Sequence, residues 1–336
     1  MKIAVAGAGV MGRNHIRVCT ELEGLEVVGV VESNAEAAAR IARLFRVRTF
    51  ETVSRLLGEA KPDVLIVATP TSTHFAVARE AIAAGVHVLI EKPIAATVAE
   101  GRELVALAAA AGVKLGVGHI ERFNPAVREL KKHLDEGELG RVYQIVARRI
   151  GPFPPRIHDV GVIVDLATHD VNIMEHVVGS TIERVFAETA RRIHQSHEDL
   201  VSCAMRFASG TVGVIDINWL TPTKIRELSV IGERGMFVVN YLTQDLTLYE
   251  NVTTAGAAEV FAVMGVGEGR MIRFPVQRFE PLKAEIQSFV AAVRDGERPL
   301  VDGDEGVRAL YLARLIARSG REEIALKANL EKDTQT

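Results

Sequence analysis

Four polar side chains recur at helical spacing within a segment, 159–179, that is otherwise mostly apolar. They are Asp165, His169, Asn172 and His176, at i, i+4, i+7 and i+11. At roughly 100° per residue, a helix places the four within about 60° of one another. A buried carboxylate beside a histidine can set up a general base, and the alternative is a satisfied structural network in the core.

Lys92 offers a complementary positive charge. It follows a short apolar run, 87–90, within Glu91-Lys92-Pro93, and the proline restricts the backbone beside it and admits a cis Lys–Pro bond. An ammonium held next to a reacting oxygen stabilises the negative charge that develops there and can relay a proton. The alternative is a surface lysine at the end of a strand.

The start of the chain has the spacing of a dinucleotide-binding turn. An apolar run, 3–6, passes directly into Gly7-Ala8-Gly9-Val10-Met11-Gly12 and then into a helical pattern. The first glycine allows the tight turn, the second lets backbone approach a pyrophosphate, and the third lets helix and strand pack closely. We expect Gly7, Gly9, Val10, Met11 and Gly12 to hold the phosphates on the free N–H groups of the helix.

Glu32 supports the same interpretation. It ends a second apolar run, 25–31, and stands twenty positions after Gly12, where this fold places an acid on the adenosine ribose hydroxyls. Ser33 follows it instead of an arginine, and a carboxylate would repel a 2′-phosphate. The predicted cofactor is therefore NAD and not NADP.

Apolar strands and helical segments alternate as far as residue 118. The pattern predicts strands at 3–6, 27–31, 64–68, 87–90 and 114–117, and helices at 11–21, 35–45, 52–59, 73–84 and 98–111. This βαβ rhythm predicts a doubly wound parallel sheet, an α/β Rossmann domain over 1–118, with ligands at the carboxyl ends of the strands.

The rhythm changes after residue 118. A helix at 125–136 precedes strands at 142–150, 200–208, 211–219 and 226–231, whose period-2 alternation and tight turns predict an open, mostly antiparallel sheet. Helices at 282–294 and 305–318 follow. We therefore expect an α+β domain over 119–330, and an uncovered sheet face that joins a homodimer or homotetramer. The stretch 251–269 shows no clear period.

Composition narrows the class further. The chain of 336 residues suits two domains, and its formal net charge of −3, with cations scattered among acids, disfavours nucleic-acid binding. No apolar run reaches the ~18 residues that a membrane span needs, so we expect a cytoplasmic protein. Cys19 and Cys203 have no disulfide or metal spacing and are expected in the core, while His194 and His197 are expected in a solvated turn, so no metal is predicted.

Several of these strings together resemble the glucose–fructose oxidoreductase/inositol dehydrogenase (Gfo/Idh/MocA) family. They are the Gly7–Gly12 turn, Thr69-Pro70-Thr71-Ser72-Thr73-His74, Gly85-Val86-His87-Val88-Leu89-Ile90-Glu91-Lys92-Pro93 and Asp165-x-x-x-His169. The resemblance implies a Rossmann domain followed by an α+β domain, with Lys92 the catalytic lysine, His169 the acid/base and Asp165 its orienter or a substrate ligand. It also implies that Thr69, Pro70, His74, Glu91 and Lys92 line the cofactor. Asn172 stands where many relatives have an acid, which bears on sugar contacts.

Two further strings, 118–125 and 151–161, are similar to those of UDP-N-acetylglucosamine 3-dehydrogenases within that family. They add Arg122, Phe123, Asn124 and Arg156 to Asp165, His169 and Asn172 as expected substrate residues. A nucleotide sugar needs cations for its diphosphate, and Arg148, Arg149, Arg191 and Arg192 are further candidates.

Three functions stay open at this stage. The first is NAD-dependent oxidation of a secondary hydroxyl of a sugar, best matched by the 3-hydroxyl of a nucleotide sugar such as UDP-N-acetylglucosamine. The second is an inositol or simple sugar dehydrogenase of the same family. The third is a non-catalytic dinucleotide-binding sensor, which has little need of Lys92 and the Asp165–His169 stripe.

Overall fold

A computed structural model describes residues 1–154, 160–252 and 269–331 and divides the chain into two compact units. The first unit comprises Met1–Phe123 and Glu280–Tyr311. The second comprises Asn124–Phe279 and the chain from Leu312. Arg156, and the first residue of the helix predicted over 159–179, lie outside the described residues.

The first unit is built on a six-stranded parallel sheet in the order β3-β2-β1-β4-β5-β6, the order of a dinucleotide-binding fold. Its strands are β1 (Lys2–Ala6), β2 (Glu26–Val31), β3 (Thr49–Phe50), β4 (Val64–Val67), β5 (His87–Glu91) and β6 (Leu115–Gly118). Its helices are α1 (Val10–Glu21), α2 (Ala35–Phe45), α3 (Val53–Ala60), α4 (Thr71–Ala83) and α5 (Val98–Ala111), followed by a 3₁₀ turn (Ile120–Phe123).

Two late helices complete this unit. They are α8 (Pro281–Asp295) and α9 (Gly303–Glu322), of which the first unit includes the part up to Tyr311. Leu282, Ile286 and Phe289 of α8 belong to the same buried apolar cluster as Ile3 and Ile66 of the sheet. The predicted second domain, 119–330, differs from the compact units at this point, because an amphipathic pattern does not show which core a helix covers.

The second unit is built on a nine-stranded sheet in the order β14-β13-β12-β11-β7-β10-β9-β8-β15, in which only β7 and β10 pair in parallel among the described strands. Its strands are β7 (Val142–Pro152), β8 (Ile182–Ala190), β9 (Leu200–Phe207), β10 (Val212–Asn218), β11 (Leu220–Gly232), β12 (Gly235–Asn240), β13 (Asp245–Glu250), β14 (Met271–Phe274) and β15 (Leu326–Lys327). Its helices are α6 (Pro125–Asp135) and α7 (Thr168–Val178), the latter preceded by a π turn (Ile163–Ala167).

One row of small and apolar side chains crosses the less covered face of this sheet. Register pairs Ala204 with Val214, Val214 with Val146, and Val146 with Ser229. Phe186 extends the row at one end, paired with Ala204, and its side chain is 40% exposed. Alternate residues on these strands, such as Ile145 and Ile215, are fully buried on the other face.

The predicted fold class is confirmed: a Rossmann domain and a second, α+β unit with a mostly antiparallel sheet. All the predicted strands are present, and the structure adds β3, β8 and β12–β15, which the sequence pattern did not predict. Both cysteines are buried, as predicted, and burial raises the pKa of each thiol to about 12. Among the described helices, none combines the length and apolar character that crossing a lipid bilayer requires.

Candidate functional site

The glycine-rich turn between β1 and α1 leaves room for a ligand at one glycine and none at the other two. Gly7 has φ +93°, and a Cβ there would lie 2.5 Å from the carbonyl oxygen of Ala68. A Cβ on Gly12 would lie 2.0 Å from the oxygen of Gly7, whereas one on Gly9 would meet nothing within 4 Å. The turn is thus packed from behind and open at Gly9, where a pyrophosphate would approach the start of α1.

Glu32, at the end of β2, closes the same turn. Its Oε2 accepts a hydrogen bond from the Ala8 N–H at 3.3 Å, and its Oε1 accepts one from the Asn34 N–H at 3.0 Å. At the start of α1, Val10 is exposed and Met11 is half-buried. The acid is therefore held beside the glycines, as the binding of adenosine ribose hydroxyls requires, and these residues fit NAD.

His74 joins the carboxyl ends of β4 and β5. Its Nδ1 lies 2.9 Å from the Pro93 carbonyl oxygen and its Nε2 lies 2.9 Å from that of Thr69. The ring is buried, and this burial lowers the pKa of His74. Thr69 and Pro70 reach the surface and are accessible to a cofactor, whereas His74 is buried behind them and holds the backbone through its two carbonyl contacts.

Lys92 is half-buried at the end of β5, next to a cis bond to Pro93. Glu91, one residue earlier, is buried and lies 2.7 Å from Nε2 of His15 on α1. His119, just after the neighbouring strand β6, is also buried, and burial together with the charge of Lys92 lowers its pKa to about 3. A neutral imidazole therefore lies near the ammonium, and the sequence analysis did not assign it a role.

The second unit carries the predicted Asp–His stripe. Asp165 lies in the π turn, with its N–H bonded to the Gly161 carbonyl oxygen at 3.1 Å, and His169 and Asn172 lie on α7. His169 is half-buried and Asn172 is buried. The prediction of one regular helix was wrong over 163–167, where the wider π turn changes the angle per residue; such turns are frequent at functional sites.

A buried ion pair holds α7 against β7. Arg149 donates from Nε to both carboxylate oxygens of Asp170, at 3.1 and 3.0 Å, and from its second guanidinium nitrogen at 3.0 Å. Its guanidinium also lies 5.2 Å from the ring centre of Tyr241. This occupies the arginine that the sequence analysis had considered for a diphosphate, and it anchors the residue next to His169.

The predicted substrate residues just after β6 have structural contacts. Arg122 is buried and donates to Glu305 at 2.9 Å, and Phe123 is buried in the first unit. Asn124 caps α6 by accepting from the Ala126 N–H at 3.1 Å. That these three residues bind the substrate stays a prediction, and the described contacts do not add support to it.

The remaining diphosphate candidates lie on the surface of the second unit. Arg148 is exposed on the sheet and pairs with Asp216 at 3.4 Å, while Arg191 and Arg192 are exposed in the loop after β8. Within that loop the expectation of a solvated turn was wrong for His194. Its ring is buried, and its Nδ1 accepts from two backbone N–H groups, at 3.0 and 3.1 Å.

Comparison with known proteins matches both units. Residues 1–119 match the model of the Gfo/Idh/MocA oxidoreductase family, NAD-binding Rossmann fold, and residues 127–238 match the model of the C-terminal domain of the same family.

Three relatives illustrate the range of similar proteins. UDP-N-acetylglucosamine 3-dehydrogenase of Acidithiobacillus ferrooxidans is 31% identical over 93% of this chain and 95% of its own length. Its solved structure superposes with a TM-score of 0.85 at 30% identity, covering 95% of this chain and 97% of that one. Myo-inositol 2-dehydrogenase of Thermotoga maritima is 23% identical over 97% of this chain and 98% of its own length.

The third is a solved structure, the WlbA dehydrogenase of Bordetella pertussis in complex with NADH and UDP-GlcNAcA. It has a TM-score of 0.84 at 24% identity and covers 98% of both chains. At this identity the likeness concerns the fold.

Proposed function

Because this chain belongs to the Gfo/Idh/MocA family of NAD-binding oxidoreductases, we propose that it oxidises the 3-hydroxyl of UDP-N-acetylglucosamine or a related nucleotide sugar. The observation that carries the substrate is the full-length similarity, at 31% identity, to a dehydrogenase of that substrate. The chain's use of NAD and its action on a sugar rest on the family itself.

The proposed chemistry divides between the two units. NAD, when bound on the Gly7–Gly12 turn and Glu32, supplies the acceptor for the hydride that leaves the sugar carbon. His169 accepts the proton of the hydroxyl on that carbon, and Asp165 orients the imidazole or contacts the sugar. Lys92 steadies the negative charge on the same oxygen as the C–O bond gains double-bond character.

Thr69, Pro70 and Glu91 are proposed to lie along the cofactor, with His74 holding the backbone behind them. Asn172 is proposed to contact the sugar, because it is buried on α7 and its Oδ1 accepts no hydrogen bond from the described residues. An amide offers both a donor and an acceptor to a hydroxyl.

Inositol oxidation is the second candidate. It is favoured by the similarity to myo-inositol 2-dehydrogenase along nearly the whole chain. A cyclic polyol offers the same kind of secondary hydroxyl but has no diphosphate. The oxidation step is therefore the same for the two substrates, and only the nucleotide sugar needs cationic side chains to bind its diphosphate.

The test incubates the purified protein and NAD⁺ separately with UDP-N-acetylglucosamine, myo-inositol and glucose, and follows the NADH absorbance band. We expect NADH with the nucleotide sugar, together with a product lighter by two hydrogens. NADH with myo-inositol or glucose alone would replace the substrate assignment, and cofactor binding without NADH across the panel would favour a sensor.

We further propose that two copies associate through the sheet face that carries the row Phe186, Ala204, Val214 and Val146. The alternation along these strands leaves apolar side chains on a face that water would otherwise meet. Light scattering should give a dimeric or tetrameric mass, and Val214→Lys should lower it, while Leu44→Lys, on an exposed site of the first unit, should not. A monomeric wild-type protein at micromolar concentration would refute the association.

A further inference from the structure

A carboxyl group interrupts the apolar face of α8. The buried positions of this helix are Leu282, Glu285, Ile286, Phe289 and Ala292, and the carboxyl-bearing residue is only 1% exposed. Both of its carboxyl oxygens are buried and accept no hydrogen bond from the described residues. A charged carboxylate in that position would have little solvation, and its burial would destabilise the fold. We therefore expect Glu285 to have a role beyond packing.

The neighbours of α8 show which residues share its layer. Phe289 covers Gly116 of β6: a Cβ on that glycine would lie 2.7 Å from the phenyl ring and 3.3 Å from the side chain of Leu89. Two residues further along β6, a Cβ on Gly118 would lie 3.3 Å from the carboxylate of Glu91.

Residues two apart on a strand share a face, and residues four apart on a helix lie one turn apart on the same face. Glu285 stands one turn before Phe289, and Glu91 stands two residues after Leu89. The two carboxyl groups therefore lie in one layer, between the end of the sheet and α8, and the absence of side chains at Gly116 and Gly118 leaves space for them.

Several titratable and charged residues surround this layer. On α1, His15 bonds Glu91 at 2.7 Å, and the 3₁₀ turn that α8 packs against contributes Glu121 and Arg122, with His119 just before it. Burial, and then the charge of Glu91, raise the pKa of Glu285 well above its usual value. The physical consequence is that this environment favours the protonated form of the Glu285 carboxyl.

We propose that Glu285 is a positioning residue whose buried carboxyl keeps the Glu91 carboxylate on His15 and so fixes the end of β5 that carries Lys92. The role as stated rests on the proposed function of Lys92. Glu285 itself touches neither cofactor nor substrate in this proposal, and it acts through Glu91.

Two substitutions separate a positioning role from simple packing. Glu285→Gln keeps a neutral polar group of the same shape, and Glu285→Leu fills the same space without one. We expect the Gln variant to keep kcat near the wild-type value and the Leu variant to lose about 10- to 100-fold in kcat, with little change in KM for NAD, because a misplaced catalytic group lowers turnover. Glu297→Gln, an exposed carboxyl beyond the end of α8, is the matched control.

A readout that needs no substrate is the reactivity of the Lys92 amine toward acetic anhydride at one fixed pH, measured by mass spectrometry with the exposed Lys61 as internal standard. The Leu variant should change the ratio of Lys92 to Lys61 acetylation by about threefold or more, because the ammonium is no longer held in one place, and the Gln variant should match the wild type. If the wild-type protein oxidises no sugar but this change appears, the proposed function fails and the positioning role stands.

Calorimetry gives a third comparison. A carboxyl whose pKa is higher in the folded than in the unfolded state stabilises the fold. This contribution is complete at pH values below the ordinary pKa of 4.5 and is lost as pH rises through the pKa of the folded state. The wild-type protein should therefore lose stability relative to Glu285→Gln as pH rises above 4.5. A Leu variant with wild-type kcat and unchanged Lys92 acetylation would overturn the proposal.

Discussion

Replacing Arg149 with Met is expected to destabilise the second unit by about 3–5 kcal/mol, because it removes the guanidinium that neutralises the buried carboxylate of Asp170. The two side chains are 2% and 1% exposed, and three N–H···O contacts of 3.0 to 3.1 Å join them. Water therefore cannot replace the guanidinium when it is removed.

The double variant Arg149→Met/Asp170→Leu removes both charges together. Since the desolvation of two ions is then avoided, its stability should return to within ~1–2 kcal/mol of the wild type or exceed it. The two single substitutions are consequently expected to be strongly non-additive.

Unfolding in urea can be followed by the fluorescence of Trp219, which is the single tryptophan of the chain and is buried in the second unit. The matched control is Arg148→Met on the same strand, whose pair with Asp216 is 52% and 41% exposed. That control should change stability by about 0–1 kcal/mol. An Arg149→Met cost equally small, or a double variant as unstable as the sum of the singles, would refute the reasoning.

Three further predictions concern the first unit. Glu32 should make kcat/KM higher with NAD than with NADP, and Glu32→Ala should narrow the ratio; equal or reversed wild-type values would contradict this assignment. Gly12→Ala should lower the melting temperature and abolish NAD binding in calorimetry, because its Cβ would meet backbone oxygen at 2.0 Å, while Gly9→Ala should fold normally. Because burial lowers the pKa of His119 to about 3 from an ordinary 6.5, stability should fall as pH decreases between these values, and His119→Asn should flatten the slope of the melting temperature against pH. Identical slopes would show that another group is responsible.

Local signals made the nucleotide-binding half predictable. Gly12 is required by contact with the backbone of Gly7, which precedes it in the same turn, and Gly7 itself has a positive φ. The run into Glu32 has the length of a buried strand, so local spacing carries most of the information. The same holds for Lys92, whose place at a strand end follows from the apolar run before it.

Long-range contacts were not predictable in the same way. The sequence pattern of α8 does not indicate that its apolar face packs on the first sheet. The residues around Arg149 likewise do not indicate that its partner is Asp170, 21 residues later. The π turn at Asp165 also escapes periodicity, because that method assumes a constant angle per residue. Asp170 could have been found from its position, since an acid within an otherwise apolar helix needs a buried partner.

The central claim is that Lys92 and His169 act on the same hydroxyl. Each alanine variant should lower kcat/KM for the nucleotide sugar by about 10²–10⁴-fold. The double variant should be scarcely worse than either single one, because groups that act as a unit are non-additive. Lys283→Ala and His197→Ala, at half-buried sites outside the proposed site, are the matched controls.

The most direct measurement is therefore the rate of NADH formation from UDP-N-acetylglucosamine for wild type, Lys92→Ala, His169→Ala and the double variant under identical conditions. The account predicts two large losses that do not multiply. Turnover that survives either single substitution, or two losses that multiply in full, would contradict it.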